Sequence, residues 1–317
     1  MNRLTRILMA STIVASTIVA ARGAAQAADM PSRAVAPAVP VFTQLPAVDG
    51  VNGKIEAYGG WVDSRWPWRR AHAAGGVLPS LSFPLGQQFG MQLDGILASH
   101  RGGLAGGGAG HLFWRDPGRA LVGVYGSLVR VDAFGDTRAR AGLEGALYFD
   151  RWTISGIVGA EWSTGSRLRV MGAIPGFYVL DLGWRRAQFF DMIDVSFYPT
   201  DDWKVSVGHR YVGGRNALAL GTEALLVRAG GLGVAGFVEG RIGERDYKAA
   251  LAGVRVYFGQ KDKSLIQRHR QDDPPNWLKD DLFAPGAGAR AGYAAIPVAA
   301  PPPSPPTCSC GPCYPVY

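Results

Sequence analysis

Cysteine is absent from the first 307 residues of this 317-residue chain, and the three cysteines lie together at positions 308, 310 and 313. A disulfide framework therefore cannot hold a main domain together. Beyond the N-terminal segment, no stretch approaches 18 consecutive apolar residues, although 47% of the residues are hydrophobic. This excludes a transmembrane helix from the rest of the chain. The apolar residues are dispersed, so the fold must be stabilised by strand pairing and burial.

A concentrated basic patch is also missing. The formal net charge is +8, but the basic residues are spread along the sequence instead of clustering with aromatic residues, so nucleic-acid binding is not expected. The five histidines are scattered, and none has acidic neighbours at a metal-ligand spacing. We therefore expect no cofactor.

The N-terminus has the features of a secretory signal peptide. Arg3 and Arg6 precede an apolar run from residue 7 to 21, and Ala25-Gln26-Ala27 supplies small residues for cleavage before Ala28. The apolar run has only 15 residues before Arg22, too few for the roughly 20 that a membrane anchor needs. Residues 1–27 are thus predicted to be a signal peptide and the mature chain to be exported.

The composition divides the exported chain into three parts. Residues 28–50 are rich in proline and alanine and predict an extended periplasmic linker, and residues 259–317 predict a proline-rich tail with the cysteine cluster. Residues 51–258 remain as the folded unit.

Within this unit, apolar and polar residues alternate with a period of two, which is typical of strands. In WTISGIVGAEW, Ile154 and Val158 share one face while Thr153 and Glu161 share the other. Glycine is about twice as frequent as usual, with 44 residues, many inside apolar runs where they would weaken helices.

Turn residues and up-and-down parity predict twelve strands. Eleven strands are recognised from their residue pattern. A twelfth strand at 76–83 is needed because strand 107–115 ends at a short turn, whereas without it the up-and-down order would end that strand at the long-loop side of the barrel. We include it although Pro79 is a poor strand residue. An even number is expected of a single-chain bacterial barrel. The predicted strands are 53–61, 76–83, 88–98, 107–115, 120–131, 137–149, 152–162, 187–198, 203–213, 217–227, 232–242 and 247–258.

Aromatic residues near the proposed short turns support a membrane barrel, since aromatic rings favour the membrane interface. A soluble β-sandwich also alternates, but it gives no reason to collect aromatic residues at one end of the strands. The predicted ring consists of Phe83, Phe89, Trp114, Phe149, Trp152, Tyr198, Trp203 and Phe258.

The hairpin FYPTDDWKVSVGHRYVGG and the ending VRVYFG resemble the outer-membrane β-barrel proteins of Gram-negative bacteria, broadly the porin and opacity-type group. The resemblance covers residues 51–258 and implies one antiparallel up-and-down barrel of about twelve strands in the cell outer membrane. It also implies that outer-membrane lipid and the barrel assembly machinery are partners. LAGVRVYFGQ (251–260) resembles the C-terminal strand that this machinery recognises, although 59 residues follow Phe258.

Fifteen charged residues are assigned to the inner face, seven acidic and eight basic. They predict either a water-filled pore with weak anion preference or a narrow lumen filled by salt bridges, which we favour. The set is Lys54, Glu56, Asp94, Arg115, Arg138, Arg140, Glu144, Glu161, Asp194, Lys204, Arg210, Glu223, Glu239, Arg241 and Arg255.

Catalysis is an alternative to consider. Outer-membrane lipases and lipid A deacylases use His with Ser and an acid, so the candidates here are His209 and Glu223. Ser206 lies three residues from His209 on one strand, and the two side chains should point to opposite faces. A porin-like channel for small solutes or a structural envelope barrel is therefore preferred over a lipid-modifying hydrolase.

Two further features lie outside the strands. Cys308, Cys310 and Cys313 could form one disulfide or bind a soft metal, and in an oxidising periplasm the disulfide is favoured. Arg65, Arg69 and Arg70 could contact lipopolysaccharide phosphates or belong to an unspecific solvated loop. With the barrel ending at Phe258, the tail is predicted to be a separate periplasmic appendage whose removal from residue 262 leaves assembly intact.

Overall fold

The computed structural model describes residues 44–63, 71–100, 102–131, 136–163, 169–174, 177–182, 187–244, 246–259, 262–283, 292–297, 307–308 and 311–312. Residues 1–27, the predicted signal peptide, lie outside this part of the chain. None of the helices in the described part is long and apolar enough to cross a membrane.

Twelve antiparallel strands form a closed barrel, which confirms the predicted fold class and strand count. The barrel strands are β1 (Asn52–Asp63), β2 (His72–Pro84), β3 (Phe89–His100), β4 (Gly103–Asp116), β5 (Ala120–Val131), β6 (Asp136–Phe149), β7 (Trp152–Ser163), β10 (Gln188–Thr200), β11 (Trp203–Val212), β12 (Arg215–Ala229), β13 (Leu232–Gly243) and β14 (Tyr247–Phe258).

The barrel closes where β1 pairs with β14, with Gly53 opposite Phe258 and Asp63 opposite Lys248. We call the end where β1 begins and β14 ends the near end, and the opposite one the far end. Two of the tightest turns are glycine pairs, and the φ angles of +62° and +70° at Gly213 and Gly214 suit a two-residue hairpin.

Other elements lie between and after the barrel strands. A hairpin of β8 (Arg169–Ile174) and β9 (Phe177–Leu182) is inserted between β7 and β10, where a loop was expected. After β14 come the short helix α1 (Leu265–Gln267), a π-helical turn (Arg268–Asp272), the short helix α2 (Lys279–Leu282) and β15 (Gly292–Pro297), followed by β16 (Thr307–Cys308) and β17 (Gly311–Pro312). β15 pairs with β9, giving a three-stranded sheet in the order β15-β9-β8.

The alternation of the sequence matches the two faces of the wall. Large apolar side chains such as Leu97, Leu128 and Leu143 are exposed on the outside, whereas charged residues are covered on the inside. Of the predicted aromatic ring, Phe89, Phe149, Trp152 and Trp203 are exposed on the outer face. The prediction is wrong for Tyr198, whose side chain points into the barrel and is 1% exposed.

Candidate functional site: the plugged lumen

The charged residues assigned to the inner face all lie on that face. Eleven of the fifteen are buried, and Asp194, Lys204, Glu239 and Arg255 are partly covered. Whether these side chains line a conducting path remains a prediction, because the lumen is not empty. Residues 264–283, which we call the plug, occupy it.

The plug begins at the near end of the barrel. The backbone N–H of Leu265 donates to Asp202 Oδ1 at 3.1 Å, and that of Ile266 donates to the Asp201 carbonyl at 3.0 Å. Both acceptors belong to the short turn between β10 and β11. His269 then contacts two inward-facing rings, with Nδ1 2.9 Å from the Tyr198 hydroxyl and Nε2 3.1 Å from the Tyr257 hydroxyl.

The next stretch of the plug is bound to β1, β2 and β3. Asp273 pairs with Lys54 Nζ at 2.8 Å, and the Pro274 carbonyl accepts from Lys54 and from Gln92. Asn276 Nδ2 donates to Ser80 Oγ at 3.2 Å. Buried polar groups cost free energy unless they are hydrogen-bonded, and these groups are satisfied by one another.

The middle of the plug forms ion pairs with the wall through both a basic and an acidic side chain. Lys279 Nζ lies 2.7 Å from Glu56 Oε1 and 2.6 Å from Glu239 Oε1. The next residue has the opposite charge and the opposite partners: Asp280 is 3.0 Å from Arg210 Nε and 3.1 Å from Arg241 Nε. Lys279 and Asp280 therefore each lie between two wall charges of the other sign.

The plug ends near the far end of the barrel. Asp281 Oδ1 lies 3.1 Å from Arg140 Nη1, and the Asp281 carbonyl accepts from Arg138. The Phe283 ring meets Tyr58 edge-on with centroids 5.8 Å apart, and its carbonyl accepts from the Tyr247 hydroxyl. Tyr247 is the first residue of β14, so Phe283 lies at the far end.

Apolar packing accompanies these ion pairs. Trp277 packs in a buried cluster with Phe190 and Met192 of the wall, and its ring lies 5.2 Å from the Arg210 guanidinium carbon. Leu278 and Phe283 are 0% exposed. Buried ion pairs alone are weak evidence of stability because both charges lose hydration, but together with this apolar burial they fix one arrangement of the plug.

The plug corrects two of our sequence predictions. The segment from residue 264 to 283 is not part of a separate tail, because its charges find their partners in the lumen and its apolar side chains are buried there. The linker prediction is also wrong at its end: Ala47 and Val48 are buried, and Val48 packs against Phe113, Leu121 and Tyr148. This N-terminal stretch covers part of the near opening.

Charged groups of the wall also pair with one another, as the favoured lumen model predicts. Arg255 contacts Glu56 at 2.6 Å and Glu239 at 2.9 Å, and it also pairs with Glu223. His111 lies between Glu144 and Asp94, at 2.7 and 3.1 Å. The wall network alone does not fill the lumen; the plug completes it.

A cavity of about 130 Å³ remains beside the plug. Its lining mixes charges of both signs from the wall, such as Lys204, Glu223 and Arg255, with plug residues such as Asp273 and Lys279. A space of this size and polarity can hold several water molecules.

The catalytic candidates are separated by the barrel wall. His209 is on the outer face, hydrogen-bonded to Asp191 at 2.7 Å and to Asn216 at 3.1 Å. Glu223 is on the inner face, 1% exposed and 3.1 Å from Lys204. Ser206 also faces inward, as expected from its spacing to His209. These residues cannot form a nucleophile-base pair, which overturns the hydrolase built around His209.

The other sites predicted from the sequence lie outside the described residues. Cys310 and Cys313 are not among them, and only the backbone of Cys308, in β16, is described. Arg65, Arg69 and Arg70 are likewise outside. Among the described residues, no group of three or more His, Cys, Asp and Glu side chains is placed to hold a metal ion.

No protein-family model matches the sequence, and no curated protein matches it. Among solved structures the chain is similar to the KdgM porin, with 10% identity, a TM-score of 0.44 and coverage of 64% of this chain and 97% of that one. It is similar to an outer membrane channel from Pseudomonas putida F1, at 8% identity, a TM-score of 0.45 and coverage of 70% and 99%. It is also similar to the Acinetobacter baumannii outer membrane protein Omp33, at 14% identity, a TM-score of 0.37 and coverage of 66% and 100%.

Proposed function

We propose that this protein is an outer-membrane barrel that acts as a porin-like channel for small solutes and that its own plug controls their passage. The exposed apolar side chains around the closed barrel support a membrane location, since a closed barrel leaves no unpaired strand edge in lipid. We also propose that a Gram-negative signal peptide directs export, that outer-membrane lipid and lipopolysaccharide surround the barrel, and that the assembly machinery inserts it.

One observation carries the channel proposal: the lumen is polar, and what blocks it is a single chain segment joined to the wall by ion pairs. A structural barrel needs no removable filling, because a small barrel can be filled by side chains of its own strands. Ion pairs can be exchanged for hydrated charges when water enters. The plug therefore fits a gate better than a permanent core.

An engineered disulfide that fixes the chain after the plug, whose other end is already joined to β14, tests whether movement of the plug opens the channel. Ala294 of β15 lies opposite Leu180 of β9, and residues directly opposite in an antiparallel pair are close enough to cross-link. In a chain with Cys308→Ser, Cys310→Ser and Cys313→Ser, we expect Leu180→Cys with Ala294→Cys to form a disulfide. Because β14 anchors the other end of the segment, the oxidised protein cannot release the plug.

The measurement is planar-bilayer conductance of this variant before and after reduction. We expect discrete openings in the reduced protein that disappear on oxidation and return with dithiothreitol. The matched control, with Leu180→Cys alone, should open under both conditions. Absence of openings in every variant and state would favour the structural envelope protein, and openings that persist in the fully oxidised variant would show that the plug is not the gate.

A further inference from the structure

The chain beyond β14 does more than enter the lumen; it follows the lumen from one end to the other. It starts at the near end, where β14 stops at Phe258, and the backbone N–H groups of Leu265 and Ile266 donate there to the β10–β11 turn at Asp202 and Asp201. Farther along, Asp280 lies between Arg210 and Arg241, each of which is two residues from the far end of its strand. The contacts therefore progress from the near end of the barrel toward the far end.

The contacts continue to the opposite opening. Phe283 packs on Tyr58 and on His100, the last residue of β3, and its carbonyl accepts from Tyr247, the first residue of β14. Because β3 ends and β14 begins at the far end, Phe283 has reached that end. A segment that had only folded back under the barrel would contact near-end residues alone.

The strand that follows is held at the far end as well. β15 pairs with β9 over six positions, from Gly292 opposite Leu182 to Pro297 opposite Phe177. β9 belongs to the insertion between β7 and β10, and β7 ends at the far end because Ser163 lies opposite Arg138 near the start of β6. The described chain thus emerges from the lumen on the side opposite to where it entered.

From this path we propose a further activity: the barrel carries its own C-terminal segment across the outer membrane and displays the last 20 residues, 298–317, at the cell surface. The even strand number places both chain ends of the barrel at the near end, where every connection between strands is short. Short turns face the periplasm in outer-membrane barrels, so the far end faces the outside. The displayed residues include the proline run and all three cysteines. This inference rests on the outer-membrane location proposed above but not on conduction.

Labelling of single cysteines with a membrane-impermeant maleimide tests the topology. In the full-length chain with Cys308→Ser, Cys310→Ser and Cys313→Ser, one cysteine is introduced at a time. Ala295→Cys probes β15. Glu244→Cys, in the exposed turn between β13 and β14, reports the far end, and Arg119→Cys, at a side chain that is 85% exposed in the turn between β4 and β5, reports the near end.

In intact cells we expect Ala295→Cys to be labelled together with Glu244→Cys, while Arg119→Cys is labelled only after the outer membrane is permeabilised. An epitope added after Tyr317 should bind its antibody on the same intact cells, which keeps the test independent of reactivity at one position. Assembly of each variant is checked by its heat-modifiable gel shift.

The outcomes separate this inference from the proposed location. Labelling of Glu244→Cys in intact cells, with Ala295→Cys and the epitope accessible only after permeabilisation, would overturn surface display. Labelling of Arg119→Cys but not Glu244→Cys in intact cells would reverse the orientation and overturn it as well. If intact cells exclude the reagent from all three positions, the outer-membrane location itself fails.

Discussion

Deletion of residues 262–317 is expected to convert a mostly closed protein into an open pore, with a rise in single-channel conductance of about tenfold or more as the lumen of a 12-stranded barrel fills with water. The wall charges that lose plug partners, such as Glu56, Arg140 and Arg241, become hydrated instead of remaining buried and unpaired. The barrel strands end at Phe258, so the truncated chain should still insert, with reduced resistance to heat.

The matched control for this deletion removes residues 284–317 only. That chain loses β15 but keeps every plug contact described from Leu265 to Phe283, so it should stay mostly closed. The open pore should be weakly anion-selective by reversal potential, because the wall set contains eight basic and seven acidic residues. Equal conductance of the two truncations would show that the plug does not obstruct the lumen.

Replacing Asp280 with alanine is expected to destabilise the plug more than any exposed charge change. Asp280 is 3% exposed and is the shared partner of Arg210 and Arg241. Asp194 and Glu239 still pair with these guanidiniums, at 2.8 and 3.2 Å. Breaking a buried pair from one side typically costs about 3–5 kcal/mol, and because Asp194 and Glu239 still compensate part of the charge left behind, we expect a cost near the lower end of this range.

We expect Asp280→Ala to lower the free energy of unfolding in lipid vesicles by about this amount and to increase the frequency of channel openings. Asp262→Ala is the matched control, since Asp262 is exposed just before the plug and its hydrogen bond with Arg228 uses the backbone carbonyl. A surface change of this kind should stay within about 0.5 kcal/mol. If the two variants unfold alike, the Asp280 contacts do not hold the plug.

The barrel can be predicted from the sequence because each strand carries its own local signal. Alternation in WTISGIVGAEW identifies the faces of β7 without knowledge of its neighbours, and parity alone recovers β2 despite Pro79, which lies opposite Ile55. The same alternation places Arg210 inside and His209 outside. For Tyr198, closeness to a turn wrongly predicted that the side chain faces the membrane. Alternation predicts its side better, because Phe197 and Tyr198 are adjacent in a strand and must face opposite sides of the wall.

The plug cannot be predicted in this way because its pattern is neither helical nor alternating. LIQRHRQDDPPNWLKDDLF is rich in charge and proline, and such a stretch is typical of a solvated tail. The plug can be buried only because wall residues distant in the sequence compensate its charges. Lys279 pairs with Glu239 and Asp280 pairs with Arg241, about 40 residues earlier in the chain. Trp277, Leu278 and Phe283, grouped beside these charges, are the signal that could have indicated burial.

A photo-cross-linker in place of Trp277 shows whether the chain after β14 lies inside the barrel. A benzophenone amino acid at this position, in the intact protein in lipid, should react with peptides of β5, β7, β10 and β11. These strands supply the other residues of its buried cluster, namely Tyr125, Ile157, Phe190, Met192 and Val212. The same amino acid at Asp262 should not label these strands. We expect cross-links from position 277 to these four wall strands, whereas a probe that reacts only with solvent, or only with near-end turns, would show that the plug does not lie inside the barrel.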